Sequence, residues 1–303
     1  MALDADSLVD RRRLKRSLLA WRLIAIAALV GVVAVGVGRF AGFGRGDYIA
    51  RLEVAGIIVN DRDRLDALTL VADDRRAKAL IVVIDSPGGT VVGGESLYRA
   101  LREVARDKPV VAVMEDLATS AGYMVALAAD QIFAHEATIT GSIGVIFQTT
   151  EITGLLDKLG VKAEAIKSGP LKAAPSPLEP MTPETRRVTQ EVVDDIYAMF
   201  VAMMTERRPI ASDRARGLAD GRVYTGRQAV ENRLIDRIGG EDQAIAWLEA
   251  ERGIDRDLPV RAVGVEGGIA ELAERLDSLA RKTVFSERLT LDGLVSVWHP
   301  DLR

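Results

Sequence analysis

Hydrophobic and polar positions change rhythm several times along this chain. From Leu23 to Gly38, sixteen residues pass without a charge. After Asp47 the pattern alternates between short continuous apolar runs and stretches with helical spacing. Tyr48 to Val59 reads as a pair of strands bent at Gly56. Asp61 to Lys78 has helical spacing through Leu65, Leu68 and Val71. Ala79 to Asp85 is a continuous apolar run that suits a strand buried on both faces, ended by Ser86-Pro-Gly-Gly89. A helix from Val92 to Arg106 follows, then a second buried strand, Pro109 to Met114, and an apolar helix entered at Ser120. Gln131 to Ala134 and Thr138 to Val145 supply further short strands. Pro183 to Arg207 predicts a long helix, with Thr182 as its cap, Pro183 in its first turn and Glu184 on the favourable end of its dipole. Residues 213–250 read as helical with a break at Gly239-Gly240. The stretch 255–303 is charged and weakly patterned, with one amphipathic helix through Leu272, Leu276 and Leu279. Strand–helix alternation at this spacing predicts an α/β fold with a mostly parallel sheet wrapped by helices.

The uncharged N-terminal run sets the domain organisation. Sixteen helical residues reach roughly 24 Å, short of the roughly 30 Å hydrocarbon layer. Leu18 to Arg22 closes the gap, because Arg22 can snorkel and Trp21 suits the interface. Arg11, Arg12, Arg13, Lys15 and Arg16 precede the run, so the positive-inside rule keeps that tail cytoplasmic and translocates everything after Phe40. Two alternatives are a cleaved signal peptide, for which Gly38-Arg-Phe-Ala is a poor small-residue cleavage site, and a buried soluble helix, which would not need five cations in front of it. The expected organisation is a basic tail over 1–17, a transmembrane signal anchor over 18–40, the α/β domain over 47–250 and a C-terminal extension over 251–303.

Composition narrows the chemistry. The formal charge of −4 gives no global reason to expect nucleic acid as a partner. The absence of cysteine excludes disulfides, thiolate metal sites and a thiol nucleophile. No metal-ligand spacing occurs, and no cofactor is expected. Only two histidines, His135 and His299, are available as conventional bases.

Two residues stand in settings that suit a Ser–Lys hydrolase. Ser120 lies at the mouth of the apolar helix, and Lys172 lies on a loop bounded by Gly169, Pro170 and Pro175. A serine hydroxyl needs an unprotonated base, and lysine, with a reference pKa of about 10.4, becomes one only when burial disfavours the ammonium. Gly169, Pro170, Leu171, Ala173, Ala174 and Pro175 carry no charge and give Lys172 the expected apolar cover; Lys167 has less. Oxyanion donors are available from the glycines of Ser86-Pro-Gly-Gly89 and from the Ala121 N–H at the helix start. An extended substrate is expected to pair with the stretch from Gly88 to Val92, in particular Gly89 and Val91. Each piece also has a plain reading: Ser120 as an N-cap, the Pro-Gly-Gly turn as only a turn, Lys172 as a solvated lysine.

In joint order and spacing these segments resemble the membrane-anchored Ser–Lys peptidase family of signal peptide peptidase A. The resemblance rests on Asp85-Ser-Pro-Gly-Gly89, Ala118-Thr-Ser-Ala-Gly-Tyr-Met124, Thr138-Ile-Thr-Gly-Ser-Ile-Gly-Val145, Lys167-Ser-Gly-Pro-Leu-Lys172 with Ser176-Pro177, and Gly221 to Ala229 with Leu234-Ile-Asp236. It implies a Clp protease/crotonase-like repeated β-β-α superhelix, with Ser120 as nucleophile, Lys172 as general base, Ser142 bonding the lysine and Gly88 in the oxyanion hole. It further implies single-pass anchoring in a bacterial inner membrane, peptide substrates derived from signal peptides, and a homo-oligomer that shares each site between subunits. Leu171, Ala173 and Ala121 depart from the family's usual residues and put the substrate pockets in question more than the dyad. Within the peptidase reading, a broader extracytoplasmic protein quality-control protease is the alternative. Three other readings compete: a Ser-His-Asp arrangement through His135, a crotonase-like acyl-CoA enzyme, and a non-enzymatic membrane scaffold.

Overall fold

A computed structural model describes residues 46–263, the backbone of 294–297, and Trp21. The basic tail, the anchor other than Trp21, and the helix expected around Leu272 to Leu279 lie outside the described residues. Among those described, no helix is long and apolar enough to cross a membrane. The chain divides into Met1–Asp47 and Tyr48–Arg303, and the second unit carries the fold.

Its centre is a sheet that begins with β1 (Tyr48–Ile58). Helix α1 (Arg62–Asp73) crosses to β2 (Ala77–Thr90), and α2 (Val91–Val104) crosses to β3 (Val110–Thr119). The short α3 (Ala121–Ala126) leads to β4 (Gln131–Ala134) and β5 (Ile139–Gly141). Next come β6 (Ile146–Phe147), α4 (Thr153–Lys158) and the long α5 (Pro183–Arg207). The remainder is α6 (Ser212–Leu218), β7 (Val223–Thr225), α7 (Gly226–Glu231), β8 (Arg237–Ile238), α8 (Glu241–Arg252), β9 (Val260–Ala262) and β10 (Leu294–Val297).

The sheet is parallel through β9, β1, β2, β3, β4 and β8, and β5 also runs parallel to β3. Antiparallel pairs occur between β5 and β7, β10 and β2, and β10 and β6. The α/β class with a mostly parallel sheet is therefore as expected. Alternate residues of β2 explain its unbroken apolar run. Leu80, Val82 and Ile84 face the larger core, with Leu97 and Leu101 of α2. Ala79, Ile81 and Val83 face the smaller one, against Ala244, Trp247 and Leu248 of α8. Both faces are covered, so neither can be polar.

Several boundaries differ from expectation. Tyr48 to Ile58 is one strand, not a hairpin: Gly56, at φ 68°, produces a register irregularity against β2, and both of its sides stay parallel to that strand. Strand β2 does not stop at Asp85 but continues through Ser86-Pro-Gly-Gly89 to Thr90. Residues 213–250 contain three helices and two short strands, because Val223–Thr225 and Arg237–Ile238 are drawn into the sheet as edge partners. The long helix holds its expected bounds, and the Thr182 side chain accepts from Thr185 N at 3.1 Å.

Beyond α5, Arg208 ties the last third of the domain to the core. Its guanidinium grips both Asp236 oxygens at 2.8 and 3.0 Å, and its Nε donates to Arg233 O at 2.9 Å. Asp236 in turn accepts from Ile132 N of β4 at 2.8 Å. Arg208 is nearly buried, so deleting one partner strands the other charge. We expect Arg208→Ala to lower unfolding free energy by about 3 kcal/mol in urea titration, whereas Arg187→Ala, from an exposed pair, should stay within about 0.5 kcal/mol.

Candidate active site

The site is built where β3 stops. Strand β3 pairs with β2 up to Ala118 opposite Ser86, and the next backbone turns sharply. Ser120 has φ 56° and ψ −117°, a conformation that costs a non-glycine residue on the order of 1–3 kcal/mol. It is held there from both sides: its N–H donates to Gly141 O at 2.8 Å, and its carbonyl accepts from Met124 N at 2.9 Å. Although Ser120 precedes a helix, its side chain makes no capping hydrogen bond. The plain N-cap reading therefore fails. A strained serine between a buried strand and a helix start makes a sharp strand-to-helix elbow, a backbone form that can present a hydroxyl.

Helix α3 is fastened so that this elbow stays in place. Tyr123 is fully buried and its hydroxyl donates to Leu234 O at 2.9 Å. Burial pushes the Tyr123 phenol well above its usual range, so it remains a donor. Arg207 closes the far end by donating to Leu127 O and Ala129 O, both at 3.0 Å. Close approach of neighbouring elements needs glycine: a Cβ at Gly122 would lie 3.1 Å from Ser86 O, and one at Gly94 would lie 3.0 Å from Ala121 Cβ.

Three of the segments singled out by sequence meet here. The bond from Ser120 N to Gly141 O sets β5 beside the elbow, and Ser142 follows directly at φ 50°, half-buried, its N–H on Arg222 O at 2.8 Å. The Pro-Gly-Gly turn meets the elbow through Thr119, whose hydroxyl donates to Pro87 O at 3.1 Å. Gly88 is at φ 114°, and its N–H donates to Ser86 Oγ at 3.1 Å. At Gly89 a Cβ would fall 1.8 Å from Ile58 O, so no side chain fits. Val91 is buried as the first residue of α2, whereas Val92 beside it is exposed.

Lys172 stands apart. It lies on the loop after α4, exposed in the single chain, with its N–H bonded to Gly169 O at 3.1 Å and Ala173 after it at φ 60°. The apolar cover expected around it is not supplied by its own chain: Leu171, Ala173 and Pro170 are exposed as well. Cover falls instead on Lys167, which is paired with Glu179. Apolar sequence neighbours cannot shield an amine when they are themselves exposed; the loop's packing falls on Ala174 to Ser176 and Lys167 instead. His135 makes an exposed pair with Glu115 at 3.5 Å and abuts Gly240, on the β4 side of the sheet. His299 lies outside the described residues. Among the described residues, no cluster of metal-ligating side chains occurs.

Sequence reading missed the strand seated on this site. Strand β10 pairs antiparallel with Gly88–Thr90 on one side and with Ile146–Phe147 on the other. Because β1 already occupies one edge of β2 at Gly88 and Gly89, β10 lies on the opposite edge, the one β3 vacates as it turns into Ser120. Weak patterning in 255–303 concealed it. The buried hydroxyls of Ser86 and Thr119 were also missed; their only signal is polarity at the end of an apolar run.

Comparison with known proteins gives the family. Residues 102–255 match the profile of Peptidase family S49. The chain belongs to that family of serine peptidases. It is 39% identical over 211 residues to the Synechocystis protein slr0021, covering 69% of this chain and 76% of that one. An Enterococcus faecium protein named for signal peptide peptidase SppA is 34% identical over 67% of this chain and 63% of its own length. The chloroplastic serine protease SPPA of Arabidopsis thaliana is 31% identical, and the matched part is 80% of this chain but 36% of that protein. The chain thus spans less than two thirds of these last two relatives. A solved ClpP1 from Listeria monocytogenes overlays with a TM-score of 0.44 at 14% identity, over 64% of this chain and 92% of that one, too loosely to decide anything further.

The tight crossing at Gly94 gives a direct test of the elbow's packing. Gly94→Val should push α3 away from α2, lowering peptidase activity by about tenfold or more, with a fall in melting temperature. Gly154→Ala, where nothing lies within 4 Å of the added carbon, should leave both unchanged.

Proposed function

We propose that this S49 peptidase cleaves peptides by acyl transfer with Ser120 as nucleophile and Lys172 as general base. The observation that carries the reading is the strained, non-capping Ser120 at the point where β3 leaves β2, whose next residues already accept an antiparallel strand. Ser120 Oγ attacks the scissile carbonyl as its proton passes to the Lys172 amine. The C–N bond breaks as the resulting ammonium returns the proton to the leaving amine. Water, deprotonated by the same amine, then hydrolyses the acyl-enzyme. Ala121 N–H opens a helix and has no acceptor in the preceding turn by position, which suits it to the developing oxyanion. Gly88 supplies the second donor if the Ser86 hydroxyl shares it. Ser142, one residue beyond the carbonyl that binds Ser120, orients the lysine.

Lys172 is exposed on its own chain, and an amine works as a base only when water is kept from it. The reading therefore has a neighbouring copy cover the 161–181 loop and complete each site, within a homo-oligomer. Leu155, Leu159 and Ile166, all exposed on or beside that loop, are apolar surface for such a contact. The substrate lies as an added strand along Gly88–Thr90, and backbone pairing is largely indifferent to side-chain identity, which suits apolar peptides. The Enterococcus name supports peptides derived from signal sequences as substrates. The charge-free run of residues 23–38 supports single-pass anchoring in a bacterial inner membrane with the peptidase domain outside the cytoplasm.

Ser120→Ala and Lys172→Ala should each reduce peptide hydrolysis by about a thousandfold or more, while His135→Ala keeps full rate. Mixing the two inactive chains should restore part of the activity if base and nucleophile come from different copies. Full rate in Lys172→Ala would sink the dyad. Shortening the chain after Val263 should lower KM for short peptides, because β10 then no longer competes for Gly88–Thr90; an unchanged KM would show that β10 does not occupy the substrate's place.

A further inference from the structure

The peptide unit joining Pro87 to Gly88 is held at both of its polar ends by buried hydroxyls. Its carbonyl accepts from Thr119 Oγ1 at 3.1 Å, and its N–H donates to Ser86 Oγ at 3.1 Å. In a trans peptide these two groups point in opposite directions, so the pair of bonds fixes the plane against rotation about its flanking bonds. Gly88, at φ 114°, has no side chain to resist that rotation by itself.

Both hydroxyls are anchored in turn. Ser86 Oγ donates to Gly56 O at 2.6 Å, tying the turn to the irregularity in β1. Thr119 is the residue immediately before Ser120, and Ser86 O faces Gly122, two residues after it. Ser86 and Thr119 have no exposed surface. A buried hydroxyl with nothing to bond costs stability, and an alanine or valine would pack in either place more simply. Thr119 takes no part in the acyl-transfer steps above, and Ser86 enters them only by sharing the Gly88 N–H.

We infer that Ser86 and Thr119 are positioning residues that jointly clamp the Pro87–Gly88 peptide plane to the nucleophile elbow, and so set where the glycine turn presents its donors to the acyl oxygen. The clamp acts on the transition state rather than on substrate binding, because the plane it fixes lies at the reacting carbonyl. The pairing edge that holds the peptide runs onward to Thr90. This inference rests on the serine chemistry proposed for Ser120.

The experiment uses the full chain carrying Ser86→Ala, Thr119→Val, Thr119→Ser, the Ser86→Ala/Thr119→Val double change, and Ser120→Ala. Peptide hydrolysis and the rate of labelling by an alkyl fluorophosphonate are measured, with melting temperature recorded for each. Ser86→Ala and Thr119→Val should each lower kcat about 10- to 100-fold and slow labelling in parallel, with KM within about twofold of the parent. Thr119→Ser, which keeps the hydroxyl, should recover most of the rate. The double change should cost little more than the worse single one, because both bonds hold one plane. Parent-like kcat in the hydroxyl-less variants, a change confined to KM, failure of Thr119→Ser to recover, or additive losses would each overturn the clamp. If Ser86→Ala does not fold, the Thr119→Val and Thr119→Ser pair decides alone. Activity surviving in Ser120→Ala would instead overturn the nucleophile assignment, so the two failures are separable.

Discussion

The site depends on keeping Ser120 in a backbone conformation that its own side chain disfavours. That conformation persists because the hydrogen bonds on either side of it, to Gly141 O and from Met124 N, belong to elements that cannot move independently. Strand β5 is locked between β3 and β7, and α3 is fastened through Tyr123 and Arg207. Strain at one residue is thus sustained by a core whose residues gain nothing from it locally.

The same constraint explains where small and polar residues interrupt an otherwise apolar interior. Gly94 and Gly122 let α2 and Ser86 approach the elbow, and Gly89 lets β1 pass against the turn. Ser86, Thr119 and Thr140 are buried hydroxyls, and each has a carbonyl to bond. Thr140 donates to Ala118 O at 2.7 Å, which adds a side-chain tie to the β3–β5 pairing just before the elbow. A core of aliphatic residues alone would be as well packed, but it would not specify the orientation of these peptide groups.

The open edge of β2 connects this scaffold to its use. Strand β1 covers one edge from Ala77 to Gly89, while β3 departs at Ser120 and leaves the last residues of the other edge to pair elsewhere. An unpaired strand edge is a template for another strand. That β10 takes the place shows that the edge has the register and direction to hold an antiparallel segment between itself and Ile146–Phe147.

Much of this was legible in the chain alone. The apolar runs at Ala79 to Asp85 and Pro109 to Met114 require strands covered on both faces, and Thr182-Pro183-Glu184 marks the start of the long helix, because these signals depend on near neighbours in sequence. Ser120 and the Ser86-Pro-Gly-Gly89 turn could be selected from their local setting and order. Long-range pairing decided the rest. The continuation of β2 past its glycines, the straight passage of β1 through Gly56, and the seating of β10 arise from partners tens to hundreds of residues away, which no local pattern reports. Burial of a loop lysine is of the same kind: uncharged neighbours made Lys172 look dry, yet only packing removes water, and within one chain that packing goes to Lys167. Residue identity therefore determined which groups could do the chemistry, while tertiary contacts determined which of them are held together, because strain and desolvation are imposed by surroundings that the linear order does not contain.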